Sequence, residues 1–282
     1  MIINNKTNYH THCDFCDGKA PMEMFVQEAI KQGMTSYGVS SHAPFPFPNE
    51  WCLAPEKVDD YIAEFHRLKE KYGERIDLYL GLEIDYLNDE LSPAGEYYKK
   101  LPLDYRIGSV HFVIADDGTP VDTDGNPERF ISYVNTYFQG NIKEVVIRFF
   151  EQNMKMIEQG GFDFMGHPDK ISFNGSHYDV SLLEQKWYDD IVQDYYRYIA
   201  SKKILIEVNT KAWERNRFLY PNLRYFKLLN SLHIPVVVNA DTHVPEAVNG
   251  GRDDALKALL ESGYNSVYQI VDGDWKSVPI VL

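Results

Sequence analysis

Two periodicities of apolar residues alternate along this chain. Short runs rich in β-branched and aromatic residues, each ending on polar positions, lie at 8–12, 36–42, 77–86, 105–113, 162–169, 204–210 and 235–243. Their length and composition predict buried strands. Between them apolar positions recur every three to four residues. Val58, Ile62, Phe65 and Leu68 form such a stripe, predicting a helix over 56–72 that Gly73 ends. A second helix is expected over 181–200, with Ser181 and Glu184 in capping-box register. A third is expected over 245–262, opening at Pro245 and closing at Gly263.

Strand followed by helix, about seven times over, predicts a parallel sheet with crossover helices. No glycine-rich phosphate fingerprint follows the first strand, which disfavours a dinucleotide-binding sheet. No linker of Pro, Gly and Ser divides residues 1–282 and no short repeat shows, so one closed (β/α) barrel domain is expected. A further apolar run follows at 265–271. The one long polar stretch, 115–128, comes after a strand end and is expected as a surface excursion or a lid.

Composition narrows the function. An apolar fraction of 44% marks an ordered globule, and a net charge of -14 disfavours a nucleic acid or an anionic membrane as main partner. A small phosphorylated substrate held by metal ions is not excluded by that charge. Cys13 and Cys16 make a C-x-x-C, but only Cys52 remains, so neither a zinc ribbon nor a disulfide framework is implied. No signal peptide is read and no apolar run reaches membrane-spanning length, so the expected location is cytoplasmic.

The chemistry lies at the strand ends. His10 and His12, two apart on a strand, leave the same face. His42, His111, His167 and His243 fall at or near the ends of four later strands, together with Glu83 and Asp241, and Asp17 lies just past the first. A barrel gathers the C-terminal ends of its strands around one mouth. So many ionisable groups would not share a pocket without cations, given desolvation and like-charge repulsion. His66, His177 and His233 serve as controls: a helix, a polar loop and a pre-strand position, all read as structural or exposed.

Nine candidate ligands exceed the three or four that one transition metal takes, and suit two or three divalent ions with Glu83 as a bridge. Clustered divalent ions in an acidic protein suit phosphoester hydrolysis. One ion lowers the pKa of a bound water to about 7, while others hold phosphoryl oxygens and the departing alkoxide. Amide or amidine hydrolysis, commonly with a modified lysine bridging two ions, is the rival chemistry. Lys170 and Lys211 come just after strands, and no lysine stands among the ligands.

The residues resemble a known family. "HTHCDFCDG", "SSHAPF", "GLEIDY", "GSVHF", "GHPD", "EVNTKAWER" and "NADTHVPEAV" are similar, in order, to the motifs of the polymerase-and-histidinol-phosphatase (PHP) superfamily. The coverage, from residue 8 to about 270, looks most like its stand-alone histidinol-phosphatases. The resemblance implies an α/β fold, a distorted, TIM-like (β/α)7 barrel with a trinuclear site of zinc, manganese or iron. His10, His12, Glu83 and Asp241 would hold one ion; Glu83 would bridge to a second, completed by His111 and His167; Asp17, His42 and His243 would hold the third. Many histidinol-phosphatases carry His where Asp17 stands, and Asp where Ser41 stands.

The expected activity is hydrolysis of L-histidinol phosphate to L-histidinol and phosphate, by attack of a metal-bound hydroxide. The alternative is a PHP phosphoesterase acting on a nucleotide or another small phosphomonoester. Glu83, Asp241 and His243 are the expected catalytic residues, with a metal-bound water or His243 as proton donor to the leaving group. Arg215 and Arg217 are the expected phosphate contacts, with Arg148 and Arg252 as weaker candidates. Glu207 and Asn209 share a strand face and are expected to line the pocket or support ligands.

Overall fold

The structure, a computed structural model, describes residues 4–45, 47 and 49–282. In chain order the strands of the described residues are β1 (Thr7–Asn8), β2 (Ser36–Val39), β3 (Asp77–Asp85), β4 (Tyr105–Ser109), β5 (Phe112–Ile114) and β6 (Pro120–Asp122). There follow β7 (Phe164–Met165), β8 (Ile206–Asn209), β9 (Val236–Asn239), β10 (Ser266–Val271) and β11 (Asp274–Pro279). Seven of them form one parallel sheet in the order β1-β2-β3-β4-β7-β8-β9. The sheet all but closes on itself. A parallel bridge joins Thr11 to Thr242, and the Tyr9 N–H donates to Asn239 Oδ1 at 2.8 Å. The fold is therefore the expected distorted seven-stranded barrel.

Alternation along each strand builds two cores. Outward positions such as Leu82 and Ile84 of β3, Ile206 and Val208 of β8, and Val236 and Val238 of β9 pack under the helices. The inward positions Tyr105, Ile107, Phe164 and Val237 join Tyr9 in a third cluster that fills the barrel floor. Tyr105 needs glycines opposite it: a Cβ at Gly38 or Gly81 would stand 2.3 or 2.4 Å from its ring and hydroxyl. β10 pairs only with β11, so the run at 265–271 is a strand outside the barrel. Trp275 of this hairpin stacks edge-on against Tyr9 at 5.1 Å and Phe164 at 5.4 Å, plugging the floor.

Three local expectations are corrected. The helix expected at 181 begins at Lys186, after a short 3-10 turn over Leu182–Glu184. Ser181 Oγ donates to Asp179 Oδ1 at 2.8 Å, a nearby acceptor that outcompetes the capping box. The helix expected from 245 becomes a 3-10 turn over Pro245–Ala247, then a helix over Arg252–Glu261. Gly250 and Gly251 intervene, and Gly251 has φ +66, outside the helical region. The strand expected over 105–113 is split, because the chain turns out of the barrel at Val110 and His111 into the antiparallel β5–β6 hairpin. That hairpin replaces much of the polar excursion. Arg148 clamps it by donating to Ile114 O at 2.8 Å and to Asp116 Oδ1 at 2.5 Å.

Candidate metal centre

All nine candidate residues meet at the C-terminal mouth of the barrel. Glu83, an inward position of β3, lies at the middle. Its Oε2 stands 2.9 Å from His42 Nδ1, 3.1 Å from His10 Nε2 and 3.5 Å from His12 Nε2. Its Oε1 stands 2.9 Å from His167 Nε2 and 3.5 Å from His111 Nε2. One carboxylate thus faces two sets of imidazoles with separate oxygens. Asp241 Oδ1 lies 3.3 Å from His12 Nε2 and 3.6 Å from His243 Nδ1. Asp17 closes the outer side, with Oδ2 3.2 Å from His243 Nε2 and Oδ1 3.8 Å from His42 Nε2.

Outer partners fix the rings. Glu207 Oε1 lies 2.7 Å from His10 Nδ1, leaving Nε2 free to face Glu83. Asp85, two residues beyond Glu83 on the same face, does the same for His111: both its oxygens lie 3.0 Å from Nδ1, and Oδ1 also accepts the His111 N–H at 2.8 Å. Such carboxylate–imidazole pairs set the tautomer and ring angle of a metal ligand. Ser109 Oγ donates to Glu83 Oε1 at 2.6 Å; a Cβ at Gly166 would come within 2.5 Å of that hydroxyl oxygen. Asn209 Nδ2 donates to Glu207 Oε2 at 2.9 Å and to Asp241 Oδ2 at 3.0 Å. Glu207 and Asn209 therefore support the cluster from beneath. Asp241 sits at φ +45, left-handed backbone that non-glycine residues rarely adopt. The barrel-closing bonds His12 N to Thr242 O (2.9 Å) and Thr242 N to His10 O (3.2 Å) hold it there.

The electrostatics fit cations better than an empty polar core. Burial opposes ionisation of Glu83, but His10, His111 and His42 overcome it and hold the carboxyl well below its usual range. Burial also opposes a charge on His10, yet Glu207, Glu83 and Asp241 draw its pKa well above the usual value. Burial pushes His12 down, with His42 and His243 adding repulsion; their rings lie only 4.1 and 4.2 Å from its own. His10 Nε2, His12 Nε2, His42 Nδ1, Glu83 Oε2 and Asp17 Oδ1 are buried without a hydrogen-bond partner. Polar atoms are rarely left so, and all five belong to groups compact enough to hold an ion. Those groups are His12–Asp17–His42–His243, His10–His12–Glu83, His10–His167–Asp241 and His42–Glu83–His111. Borderline imidazole and hard carboxylate donors suit Zn²⁺, Mn²⁺ or Fe²⁺.

Above the cluster opens a cavity of about 230 Å³ lined by Asp17, His42, Trp51, His111, Asp122, Asp124, Arg129, Lys211 and His243. Lys211 Nζ lies 3.2 Å from Asp241 Oδ1 and 3.4 Å from His243 Nε2. Lys170, buried, points its Nζ to Asp124 Oδ2 at 3.3 Å and Asp241 Oδ2 at 4.0 Å. Arg215 and Arg217 are exposed, with the Arg217 guanidinium over the Trp213 ring, and neither lines this cavity. Arg252 is buried elsewhere, bonded to Asn5 O and Asn249 Oδ1. The stretch expected as a surface excursion or a lid hands Asp122 and Asp124 to the rim.

The control histidines His66, His177 and His233 are all exposed, although His177 ends a helix (Ile171–Tyr178) and not a loop. Among the described residues no cysteine joins these compact donor groups. Burial pushes Cys13 up to about 12 and Cys16 to about 11, so both stay protonated. Ser41 Oγ contacts Cys13 Sγ at 3.5 Å. Sequence reasoning missed Asp85, Ser109 and Trp51, and it read Lys170 and Lys211 only as lysines past strand ends. Asp85 carried a usable signal, its i+2 spacing from Glu83. Trp51 carried none.

A parallel barrel whose mouth gathers imidazoles around a central carboxylate defines a metal-binding hydrolase scaffold. More narrowly, residues 8–211 match the PHP domain model, and the chain belongs to that family. A probable histidinol-phosphatase of Schizosaccharomyces pombe is 27% identical over 97% of this chain and 90% of its own length. Among solved structures, a putative histidinol phosphatase from Listeria monocytogenes superposes with TM-score 0.76 at 21% identity, covering 88% of this chain and 99% of that one. Histidinol phosphate phosphatase from Lactococcus lactis, complexed with zinc, L-histidinol and phosphate, gives TM-score 0.74 at 18% identity over 97% and 100% of the two chains.

The outer partners give a direct test. Asp85→Asn keeps the shape but removes the charge behind His111. Divalent-metal affinity at one site is expected to fall about 10- to 100-fold, read by titration of metal-stripped protein; unchanged affinity would leave Asp85 without that role.

Proposed function

We propose that this chain is a metal-dependent phosphomonoesterase that hydrolyses L-histidinol phosphate to L-histidinol and phosphate. One observation carries the chemistry: Glu83 turns separate oxygens to two sets of buried imidazoles, and on the Oε2 side that oxygen, His10 Nε2, His12 Nε2 and His42 Nδ1 all lack a hydrogen-bond partner. The substrate reading rests on relatives bearing that activity in their names over nearly the full chain. It is supported by the Lactococcus lactis neighbour, which holds L-histidinol and phosphate on a similar fold. The alternative bridge, a modified lysine, is disfavoured because Glu83 occupies the middle of the cluster.

The proposed ligands are His10, His12, Asp17, His42, Glu83, His111, His167, Asp241 and His243, holding two or three ions. When bound, the ions supply Lewis acidity toward the phosphoryl group and lower the pKa of water. The chain's own residues do the rest. Glu207 and Asp85 hold the His10 and His111 rings in one tautomer. Burial opposes the charge on Lys170, but Asp124, Asp241 and Glu83 keep its pKa above the usual value, so it stays an ammonium at neutral pH. Lys211, at the rim, is the more accessible cation and the better placed to meet a phosphate dianion. Arg215 and Arg217 are further from such a role, since neither lines the cavity.

Lys211→Met is expected to raise KM about 10- to 100-fold, the value of one charged hydrogen bond, with a smaller change in kcat. An unchanged KM would assign the phosphate to other groups. The activity itself is tested by phosphate release from L-histidinol phosphate beside nucleoside monophosphates. A preference for the former by at least about 100-fold in kcat/KM supports the assignment; equal slow rates would replace it with a general phosphomonoesterase.

A further inference from the structure

Beside the metal-lined cavity lies a second chamber of about 240 Å³. Its walls are Trp51, Phe112, Pro120, Val121, Tyr133 and Tyr137, with Asp122 and Arg129 at the edge. Trp51, Asp122 and Arg129 line both spaces, so the two adjoin. Trp51 is the hinge of the arrangement. Its indole meets the His42 ring edge-on at 4.5 Å and the His111 ring at 5.6 Å. It lies nearly parallel to Phe112, with centroids 5.7 Å apart and planes at 17°. On the far side Tyr133 and Tyr137, one helical turn apart on Pro127–Tyr137, present partly buried rings 5.9 Å from each other.

The chamber is poorly suited to phosphate. Its one cation, Arg129, is already bound to Asp122 at 2.9 Å, and the rest of the lining is apolar or aromatic. Burial pushes the Asp122 carboxyl up and repulsion from Asp124 adds to it; that second, negative field is what favours positive charge at this edge. Aromatic faces attract planar rings and cations alike. We propose that this chamber is the leaving-group subsite, where Trp51, Phe112, Tyr133 and Tyr137 select a phosphomonoester whose alcohol carries a planar, partly cationic heteroaromatic ring. The proposal rests on the substrate reading above and adds the residues that enforce it. Imidazole, with an unperturbed pKa near 6.5, is such a ring: its uncharged form stacks and its charged form gains from the aromatic faces and Asp122.

The test compares L-histidinol phosphate with 2-aminoethyl phosphate, which keeps the ammonium and phosphate but lacks the ring. Wild type, Trp51→Ala and Tyr137→Ala are measured on both, with metal content determined for each. Tyr137 lines this chamber and not the metal-lined cavity, so its variant separates ring selection from damage to the metal cluster. In both variants the ratio of kcat/KM between the two substrates is expected to fall about 10- to 100-fold, the usual reach of an apolar pocket. The inhibition constant of L-histidinol should rise with it while that of inorganic phosphate holds. A wild-type preference that Tyr137→Ala leaves within about threefold overturns the subsite and spares the substrate assignment. A wild type that shows no preference overturns both, and a preference for adenosine monophosphate lost in both variants would reassign the chamber to a nucleobase.

Discussion

Glu83→Gln is expected to abolish turnover, lowering kcat by about 10³- to 10⁵-fold and removing at least one metal ion per chain. Ions that stabilise transition-state charge contribute several kcal/mol, and each 1.36 kcal/mol is tenfold in rate. The substitution is nearly isosteric, so the cause is charge and donor pattern. Both Glu83 oxygens face imidazole nitrogens, Oε2 toward His10, His12 and His42 and Oε1 toward His111 and His167. An amide keeps one acceptor and turns an NH₂ group toward the other set, where a cation would meet donors. Ser109, which donates to Oε1, biases the amide oxygen toward that side and the NH₂ toward His10, His12 and His42. Elemental analysis and a phosphate-release assay read the two effects together. A variant that keeps its full metal complement and a tenth of wild-type activity would remove Glu83 from the centre of the mechanism.

Most of the barrel was legible because its strands are buried on both faces and read as short apolar runs. "LYLGLEID" and "PVVVNAD" needed only length and flanks to be placed. Boundaries failed where side chains competed with the backbone. Ser181 found Asp179 before it found a helix N-terminus, and Gly250 and Gly251 delayed a helix that Pro245 seemed to open. The break between β4 and β5 was invisible because Val110, Phe112 and Val113 continue the apolar run of β4. What redirects the chain is Asp85, which takes the His111 N–H from a neighbouring strand. No pattern local to residues 105–113 records that bond.

The candidate site was legible to a different degree in each layer. Histidines at strand ends converge because a barrel makes them converge, so the innermost residues follow from topology alone. The residues behind them are harder to read, since a buried carboxylate in a strand is a support only if an imidazole stands opposite. Glu207 and Asn209 were noticed for sharing a face; Asp85 shares one with Glu83 by the same arithmetic and went unremarked. Cations at the rim are hardest. Arginine is the usual bidentate partner of phosphate, which favoured Arg215 and Arg217, yet the short helix Trp213–Asn216 carries them to solvent. The lysines nearest the cavity leave their strands sooner and reach it from positions with no distinguishing local sequence.

Stripping the ions is expected to lower the melting temperature by about 10–30 °C as well as to stop turnover. An ion present at a hundredfold excess over its Kd stabilises the folded chain by about 2.7 kcal/mol. For a chain of this size each kcal/mol moves Tm by about 2–4 °C, so two or three ions give that range. The effect should depend on pH in one direction. In the metal-free protein burial opposes protonation of His111, but Asp85 and Glu83 raise its pKa to about 9, and His10 is raised as well. While these rings are protonated an incoming cation must displace protons, so apparent affinity grows with pH, about tenfold per unit for each proton released, and the His111 contribution levels off above about pH 9. The fall in Tm on chelation should therefore be larger at pH 8 than at pH 6. Calorimetry at both pH values, with and without chelator, measures the difference directly. Equal shifts at the two would mean that His10 and His111 surrender no protons to the ions, and no shift at either would mean that the imidazole and carboxylate cluster holds none.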